Sequence, residues 1–454
     1  MPVTTSGRAM GGAAAAQASQ ANSQFSYPLL SHKVSIFGDS RAFLCHSGSD
    51  NKGAGTGHSY VKGFAYAHHA AAHSMGAAFF PWSLQGGVSG DTTVQALARV
   101  PAHITAMQAE KCNLVVIVIG TNDRTGSTID LETTKQNVVR IVRMFKQAGI
   151  NVVLTNDTPR GTGSSQYELT NAKQAEHYNY SRWVLTEMAQ MCTVINTYDQ
   201  WLDASSGPLY RPLAQMVRDG IHPSKIGAFM VGRLIGRTLS QMMRTPGDFL
   251  RSNAAFDATN NPAGTLTTNP LCTGTTGTLN ANCNPAAGSV LATGWGAEGQ
   301  NMTGLVTNWS KEVDADGTEW QKVRVSGKAA ALSNGQAPSF NAFVDITLAS
   351  LTDQDKVKAT GLIKHKGIGL ANIGLSKLMT PSWTLKVDSD DSDNTLPWPS
   401  DETGPISRET PELVFTTAAN HTLIRPRLEI TMVAGATVDA TIWFTRMGGL
   451  KITY

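Results

Sequence analysis

A serine that is to act as a nucleophile needs a base in hydrogen-bond reach, a group that orients the base, and donors for the oxyanion. Four short blocks of this sequence carry such groups: Gly38-Asp39-Ser40, Ser89-Gly90-Asp91-Thr92, Gly120-Thr121-Asn122-Asp123 and Asp219-Gly220-Ile221-His222-Pro223. A carboxylate three residues ahead of a histidine, in a turn, can accept from the imidazole Nδ1–H. That fixes the tautomer and leaves Nε2 free to take the proton of Ser40. The N–H of Ser40, the N–H of Gly90, which no Cβ obstructs, and the side-chain amide of Asn122 are three candidate donors to an oxyanion. Well-placed donors of this kind are worth roughly 3–4 kcal/mol each. A lone Gly-Asp-Ser is an ordinary turn; the reading rests on all four blocks meeting.

For them to meet, the elements before them must end at one edge. From Lys33 to about Met243 the sequence alternates between strand and helix patterns. Strands are expected at Val34–Phe37, Phe79–Leu84, Asn113–Ile119, Asn151–Thr155 and Thr193–Thr197. The third is apolar on both faces, as a central parallel strand is. Helices are expected over Val61–Ala78, Thr92–Met107 (kinked or broken at Pro101), Leu131–Gln147, Tyr167–Met191 and Ser224–Met242, the last with Ser224 as N-cap. Strands separated by helices imply an α/β fold, a doubly wound parallel sheet whose strand ends share one crevice.

Near Pro246 the style changes. Residues 248–289 are Gly/Thr/Asn-rich and read as a linker or an ordered loop region. Residues 290–454 hold short alternating runs, among them Trp320–Val325, Lys356–Ile363 and Leu423–Met432, and imply an antiparallel, jelly-roll-like β-sandwich. Its tryptophans Trp295, Trp309, Trp320, Trp383, Trp398 and Trp443 are expected in core or turns, with a sugar-stacking role for one or two as the sharper reading. The domain plan is a flexible arm over 1–30, an α/β domain over 31–247, the linker, and the sandwich.

Composition narrows the partners. The chain has 454 residues, of which 41% are hydrophobic and 16% charged, with a formal net charge of +3. That balance makes no basic footprint, so nucleic acid is not implied. No apolar run reaches the roughly 18–20 residues that span a bilayer. Met1–Ser26 lacks the apolar core of a signal peptide. The low-charge, Gly/Thr/Asn-rich style suits secreted or virion proteins, so an extracellular or virion-associated place is expected, with the cytoplasm as the alternative. Cys45, Cys112 and Cys192 read as buried thiols, while Cys272 and Cys283 flank a loop that a disulfide would close where the compartment allows. His69 and His73 lie at metal-ligand spacing on one helix face but lack an acidic third ligand, and no metal is expected. The Gly53–Gly57 stretch lacks the Gly-Lys-Ser/Thr ending of a phosphate loop.

In order and approximate spacing over residues 33–243, the four blocks resemble those of the SGNH hydrolases, the GDSL-type esterases and lipases. Arg41 stands where the family name places leucine, and Gln85 where an asparagine often begins the glycine block. The resemblance implies a flavodoxin-like fold and an acyl-enzyme mechanism. Ser40 would be the nucleophile, His222 the base and Asp219 its orienter; Ser40, Gly90 and Asn122 would form the oxyanion hole, with no cofactor. Asp39 and Asp123 read as supports, and Arg41, beside the crevice, as a candidate substrate contact. The expected substrate is an O-acetylated polysaccharide, in the setting of a phage tail protein acting on host surface glycan, within a virion or homo-oligomeric assembly. Two other readings stand beside it: an adhesive, carbohydrate-binding virion protein with a vestigial hydrolase domain, and a lipid or thioester hydrolase.

Overall fold

The computed structural model describes residues 30, 32–46, 65–125, 129–161, 167–243, 250–333, 336–380, 384–387, 397–398, 400–410 and 413–452. The arm expected over 1–30 (except Leu30), the Gly53–Gly57 stretch and Trp383 lie outside the described residues.

The first unit is a five-stranded, wholly parallel sheet. Its strands are β1 (Ser35–Gly38), β2 (Gln85–Gly87), β3 (Leu114–Val118), β4 (Asn151–Thr155) and β5 (Thr193–Ile195), in the order β2-β1-β3-β4-β5. This is the flavodoxin-like order that the resemblance implied, built on the parallel sheet expected from the alternation. Five longer helices accompany it: α1 (Tyr66–His73), α2 (Thr93–Ala109), α3 (Leu131–Gln147), α4 (Asn171–Thr186) and α5 (Lys225–Met242). Strand β3 explains why both faces need helices. Leu114, Val116 and Val118 pack into a core with residues of α1 and α5. Val115 and Ile117 pack into another with residues of α2, α3 and α4.

Local chemistry sets the helix ends. Asp130 caps α3 by accepting from Thr133 N at 2.6 Å, and Val138, Ile141, Val142 and Phe145 form its buried stripe. Ser224 caps α5 by accepting from Gly227 N at 3.1 Å. Two expectations need correction. The second strand is not Phe79–Leu84: Phe79 makes only an isolated bridge to Lys33, Trp82–Leu84 is a 3₁₀ turn after Pro81, and the pairing falls on Gln85–Gly87. Pro101 does not end α2, which runs through it from Thr93 to Ala109.

The second unit is a sandwich of two six-stranded sheets. One has the order β13 (Thr384–Val387), β12 (Leu370–Thr380), β16 (Leu423–Met432), β10 (Ser339–Phe343), β7 (Leu291–Gln300), β6 (Thr276–Leu279). The other runs β14 (Asp401–Glu409), β11 (Lys356–Ile368), β17 (Thr437–Ile452), β9 (Glu319–Lys328), β8 (Leu305–Val313), with β15 (Leu413–Val414) on β11. Pairing is antiparallel except between β6 and β7. Trp295, Trp309, Phe340, Leu428, Ile442 and Phe444 fill the space between the sheets. Within the region 248–289, strand β6 joins a sheet and Leu266 packs beside Ile346 and Val357. Cys272 and Cys283 are free, buried thiols that form no disulfide; burial pushes each up to about 12.

The two units meet along α1 and α5. Gly232 and Gly236 let α5 lie against α1: a Cβ at these positions would stand 2.4 Å from His69 Cβ and from Ala70 O respectively. The other side of α1 faces the sandwich, and Ala72 belongs to the sandwich core. His73 Nε2 meets Glu402 Oε2 at 2.9 Å, Ser407 Oγ donates to Ala72 O at 3.2 Å, and the His69 ring lies 5.5 Å from that of Trp398. From the start of α5, Lys225 Nζ donates to Ala371 O of β12 at 2.9 Å.

Candidate active site

The sheet order reverses between β1 and β3, which opens a crevice at the carboxyl ends of the strands. Ser40 follows β1, Gly90 follows β2 and Asn122 follows β3. At Gly38, φ is +148° and a Cβ would stand 1.7 Å from Val118 O, so only glycine lets the end of β1 press on β3. Ser40 then opens a single helical turn, Ser40–Phe43, which Asp39 caps by accepting from Arg41 N at 3.0 Å.

His222 comes from a tight loop. Asp219 Oδ1 accepts from Ile221 N at 3.1 Å and from His222 N at 2.8 Å, and Val217 bridges Pro223. The loop aims the imidazole both ways. Nδ1 lies 2.7 Å from Asp219 Oδ2 and Nε2 lies 3.0 Å from Ser40 Oγ, across 182 residues of chain. Nδ1–H donates to the carboxylate, so Nε2 presents its lone pair to the serine hydroxyl. Burial alone would push the Asp219 carboxyl up. The donations from His222 Nδ1 and from the backbone N–H of His222 and Ile221 outweigh it and hold the carboxyl down to about 2. Tyr167 packs edge-on against the His222 ring at 5.9 Å.

The glycine and asparagine turns are tied together. Asn122 Nδ2 donates to Asp91 O at 3.0 Å, which uses one of its two amide hydrogens. Gly90 is exposed with φ +85° and nothing within 4 Å of its missing Cβ. Gln85, where the family pattern often has asparagine, supports its own turn by donating from Nε2 to Gly87 O at 3.0 Å. Asp123 is buried and accepts from Thr93 N at 2.8 Å and from Thr134 Oγ1 at 2.7 Å, fixing the asparagine turn on α2 and α3.

Arg41 requires a correction. It is 1% exposed, and its guanidinium is held by Asp39 Oδ2 at 2.7 Å, by Thr158 Oγ1 at 3.1 Å and by Asp157. It is a buried cation beneath the nucleophile turn and not a substrate contact. Two carboxylates compensate its desolvation, as burial of a charge requires.

Three further residues brace the crevice and carried no sequence assignment. Arg99, on α2, donates to Gly38 O at 3.1 Å, Gly86 O at 2.8 Å and Asp91 Oδ2 at 2.7 Å, clamping the first two turns. Asp157, after β4, pairs with Arg41 in a left-handed conformation at φ +70°. Arg160 donates to Thr121 O at 3.0 Å and Thr125 Oγ1 at 2.7 Å, while the neighbouring Gly161 N donates to Gly220 O at 2.7 Å. The segment after β4 thereby joins the asparagine turn to the His222 loop. The signal was present in Asn156-Asp157-Thr158, a polar run at a fourth strand end on the same edge. Among the described residues no group of three or more His, Cys, Asp or Glu side chains has the arrangement of a metal site.

Comparison with known proteins bears on this unit alone. Residues 36–228 match the model of the GDSL-like Lipase/Acylhydrolase family. Among solved structures, a GDSL-like lipase from Bacteroides thetaiotaomicron VPI-5482 is similar, with 19% identity, covering 50% of this chain and 98% of that one at a TM-score of 0.36. A mutant of an acetyl-xylooligosaccharide esterase from Geobacillus Stearmophilus is similar at 18% identity, covering 47% of this chain and 96% of that one at a TM-score of 0.36. No curated protein matches the chain.

Proposed function

We propose that the GDSL-like acylhydrolase domain at residues 36–228 hydrolyses carboxylic esters through an acyl-serine on Ser40, and that its substrate is an O-acetyl ester of a polysaccharide. The observation that carries the hydrolytic part is the continuous hydrogen-bonded line from Ser40 Oγ through His222 to Asp219, with contacts of 3.0 Å and 2.7 Å.

In this reading Ser40 Oγ attacks the ester carbonyl as His222 Nε2 takes its proton. Asp219, ionised far below neutral pH, stabilises the imidazolium and keeps the ring oriented. The tetrahedral oxyanion accepts from Ser40 N–H, Gly90 N–H and the second amide hydrogen of Asn122. His222 then protonates the leaving alkoxide, the acyl group stays on Ser40, and water repeats the sequence with His222 again as base. The polysaccharide part is supported by the low-charge composition and by a β-sandwich docked on the hydrolase unit.

The tests separate the two parts. Ser40→Ala should lower turnover of p-nitrophenyl acetate by roughly 10³-fold or more; equal rates would remove the serine mechanism. The wild type should hydrolyse acetate faster than octanoate. A preference for octanoate would instead make it a lipid hydrolase. Acetate release from a panel of acetylated polysaccharides then identifies the sugar.

A further inference from the structure

The outer face of the sheet that contains β6, β7, β10 and β16 carries a groove remote in sequence from the crevice. Strand alternation and register define it. Phe340 and Ala342 of β10, and Trp295 and Ala297 of β7, point into the sandwich core. Phe343 and Asn341, and Gly296 and Glu298, therefore point outward. Thr278, Gly296 and Phe343 stand in one cross-strand row. Glu298 and Asn341 stand opposite each other in the next.

Gly296 is what makes the row concave. A Cβ there would stand 2.5 Å from Cε2 and Cζ of Phe343, so the phenyl ring leans across a strand that offers no side chain. Arg425, from β16 on the far side of β10, lies 4.0 Å from the ring centroid and is itself held by Asp345 Oδ1 at 2.6 Å. The opening on the β6–β7 side has a volume of about 390 Å³ and is lined by Phe343, Thr276, Thr278, Asn280 and Glu298. The lining includes one charged group, the Glu298 carboxylate. Glu298 makes no ion pair among the described residues.

We propose that this groove binds a neutral sugar unit of a polysaccharide chain. A pyranose has an apolar face of C–H groups and a rim of hydroxyls. One half-buried aromatic ring supplies the surface for the first. A carboxylate that accepts from paired hydroxyls, together with the threonine hydroxyls of the lining, matches the second. The free negative charge of Glu298 disfavours uronates and sulfated sugars. The two arginines across β10 are each beside a carboxylate, Arg425 with Asp345 at 2.6 Å and Arg427 with Glu429 at 3.9 Å, so neither is a free counter-charge for them. The groove is argued without the hydrolytic reading; only the choice of acetylated polymers as probes rests on that reading.

The test is affinity electrophoresis of the full chain carrying Ser40→Ala, in gels containing acetylated xylan, deacetylated xylan, glucomannan or polygalacturonate. The neutral polymers should retard it. Adding Phe343→Ala should weaken retardation about tenfold in apparent affinity, and Glu298→Ala and the exposed Thr278→Arg should weaken it too. The same three substitutions in the Ser40-containing protein should leave p-nitrophenyl acetate turnover unchanged. That control also reports folding, and if Phe343→Ala unfolds, the other two carry the test. Three results would each overturn the proposal: no retardation by any neutral polymer, retardation by polygalacturonate alone, or retardation indifferent to the groove substitutions. None of these reads on Ser40, so a failure here and a failure of the esterase mechanism are distinguishable.

Discussion

At the scale of single residues, the chemistry of the crevice rests on charges that never reach solvent. Arg41 is compensated by Asp39 and Asp157, so Arg41→Met leaves two buried carboxylates without their cation. It should cost about 3–5 kcal/mol of stability in denaturant unfolding. Beside them, His177 donates from Nε2 to Thr158 O at 2.8 Å, and its Nδ1 has no hydrogen-bond partner among the described residues. Burial pushes its pKa down to about 4, partly opposed by the charge of Asp157. Between roughly 6.5 and 4 the unfolded chain binds a proton at this position that the folded chain does not. The stability contributed by neutral His177 is therefore complete above about pH 6.5 and is lost as the pH falls towards 4, roughly 3 kcal/mol in all. His177→Gln should flatten the fall of Tm between pH 7 and pH 5, and an unchanged fall would place the proton elsewhere. Asp219→Asn keeps the shape of the loop but permits the wrong tautomer of His222. It should reduce kcat about 10³–10⁴-fold with little change in KM. The positions of Ser40, Asp219 and His222 could be read from residue types and order. The pairing of Arg41 could not, because its partner Asp157 lies 116 residues away and a charged side chain in a strand-end turn is normally solvated.

At the scale of elements, legibility followed how many surfaces an element has to satisfy. Helix α3 has one buried stripe and one solvated face, and its expected limits, Leu131 and Gln147, are those observed. Strand β4 was equally plain, with Val152, Val153 and Leu154 as an apolar centre between polar residues. Strand β2 was obscured because its pairing falls on Gln85-Gly86-Gly87, residues that read as a turn, while the more apolar run before it contains Pro81. Helix α1 has alanines and histidines buried on both sides, since α5 and the sandwich both cover it. Its histidines therefore serve packing and a hydrogen bond across the joint. His73 Nδ1 lies 2.8 Å from His69 O and Nε2 meets Glu402, so both nitrogens face acceptors. Glu402→Ala leaves that buried imidazole edge without its partner and should cost about 1–3 kcal/mol, read as a lower Tm. Gly236→Leu should destabilise by separating α5 from α1, and Gly236→Ala should do so less.

At the scale of the whole molecule, the two units share more than a linker. Domains joined in one chain move independently unless their interface is substantial. Here α1 contributes a residue to the sandwich core, and Phe229 of α5 approaches His365 of β11 at 6.3 Å between rings. Heating should therefore unfold both units together, with loss of esterase activity and change in tryptophan fluorescence at one midpoint. Two separated midpoints would show that the joint contributes little. Sequence reading separated the two architectures at the change of style near Pro246, but it could not see this joint. The contacts that form it are scattered over Tyr66–His73, Lys225–Gly236 and the strands of residues 356–409. The Lys225 contact has a consequence for modularity. Position 225 begins the helix that follows the His222 loop, and its side chain ends on a main-chain carbonyl of the sandwich. A carbonyl is presented by any strand that runs there, whatever its side chains. A foreign β-domain grafted onto this α/β unit can inherit that anchor from backbone shape alone, so transplantability here is decided by strand placement before sequence.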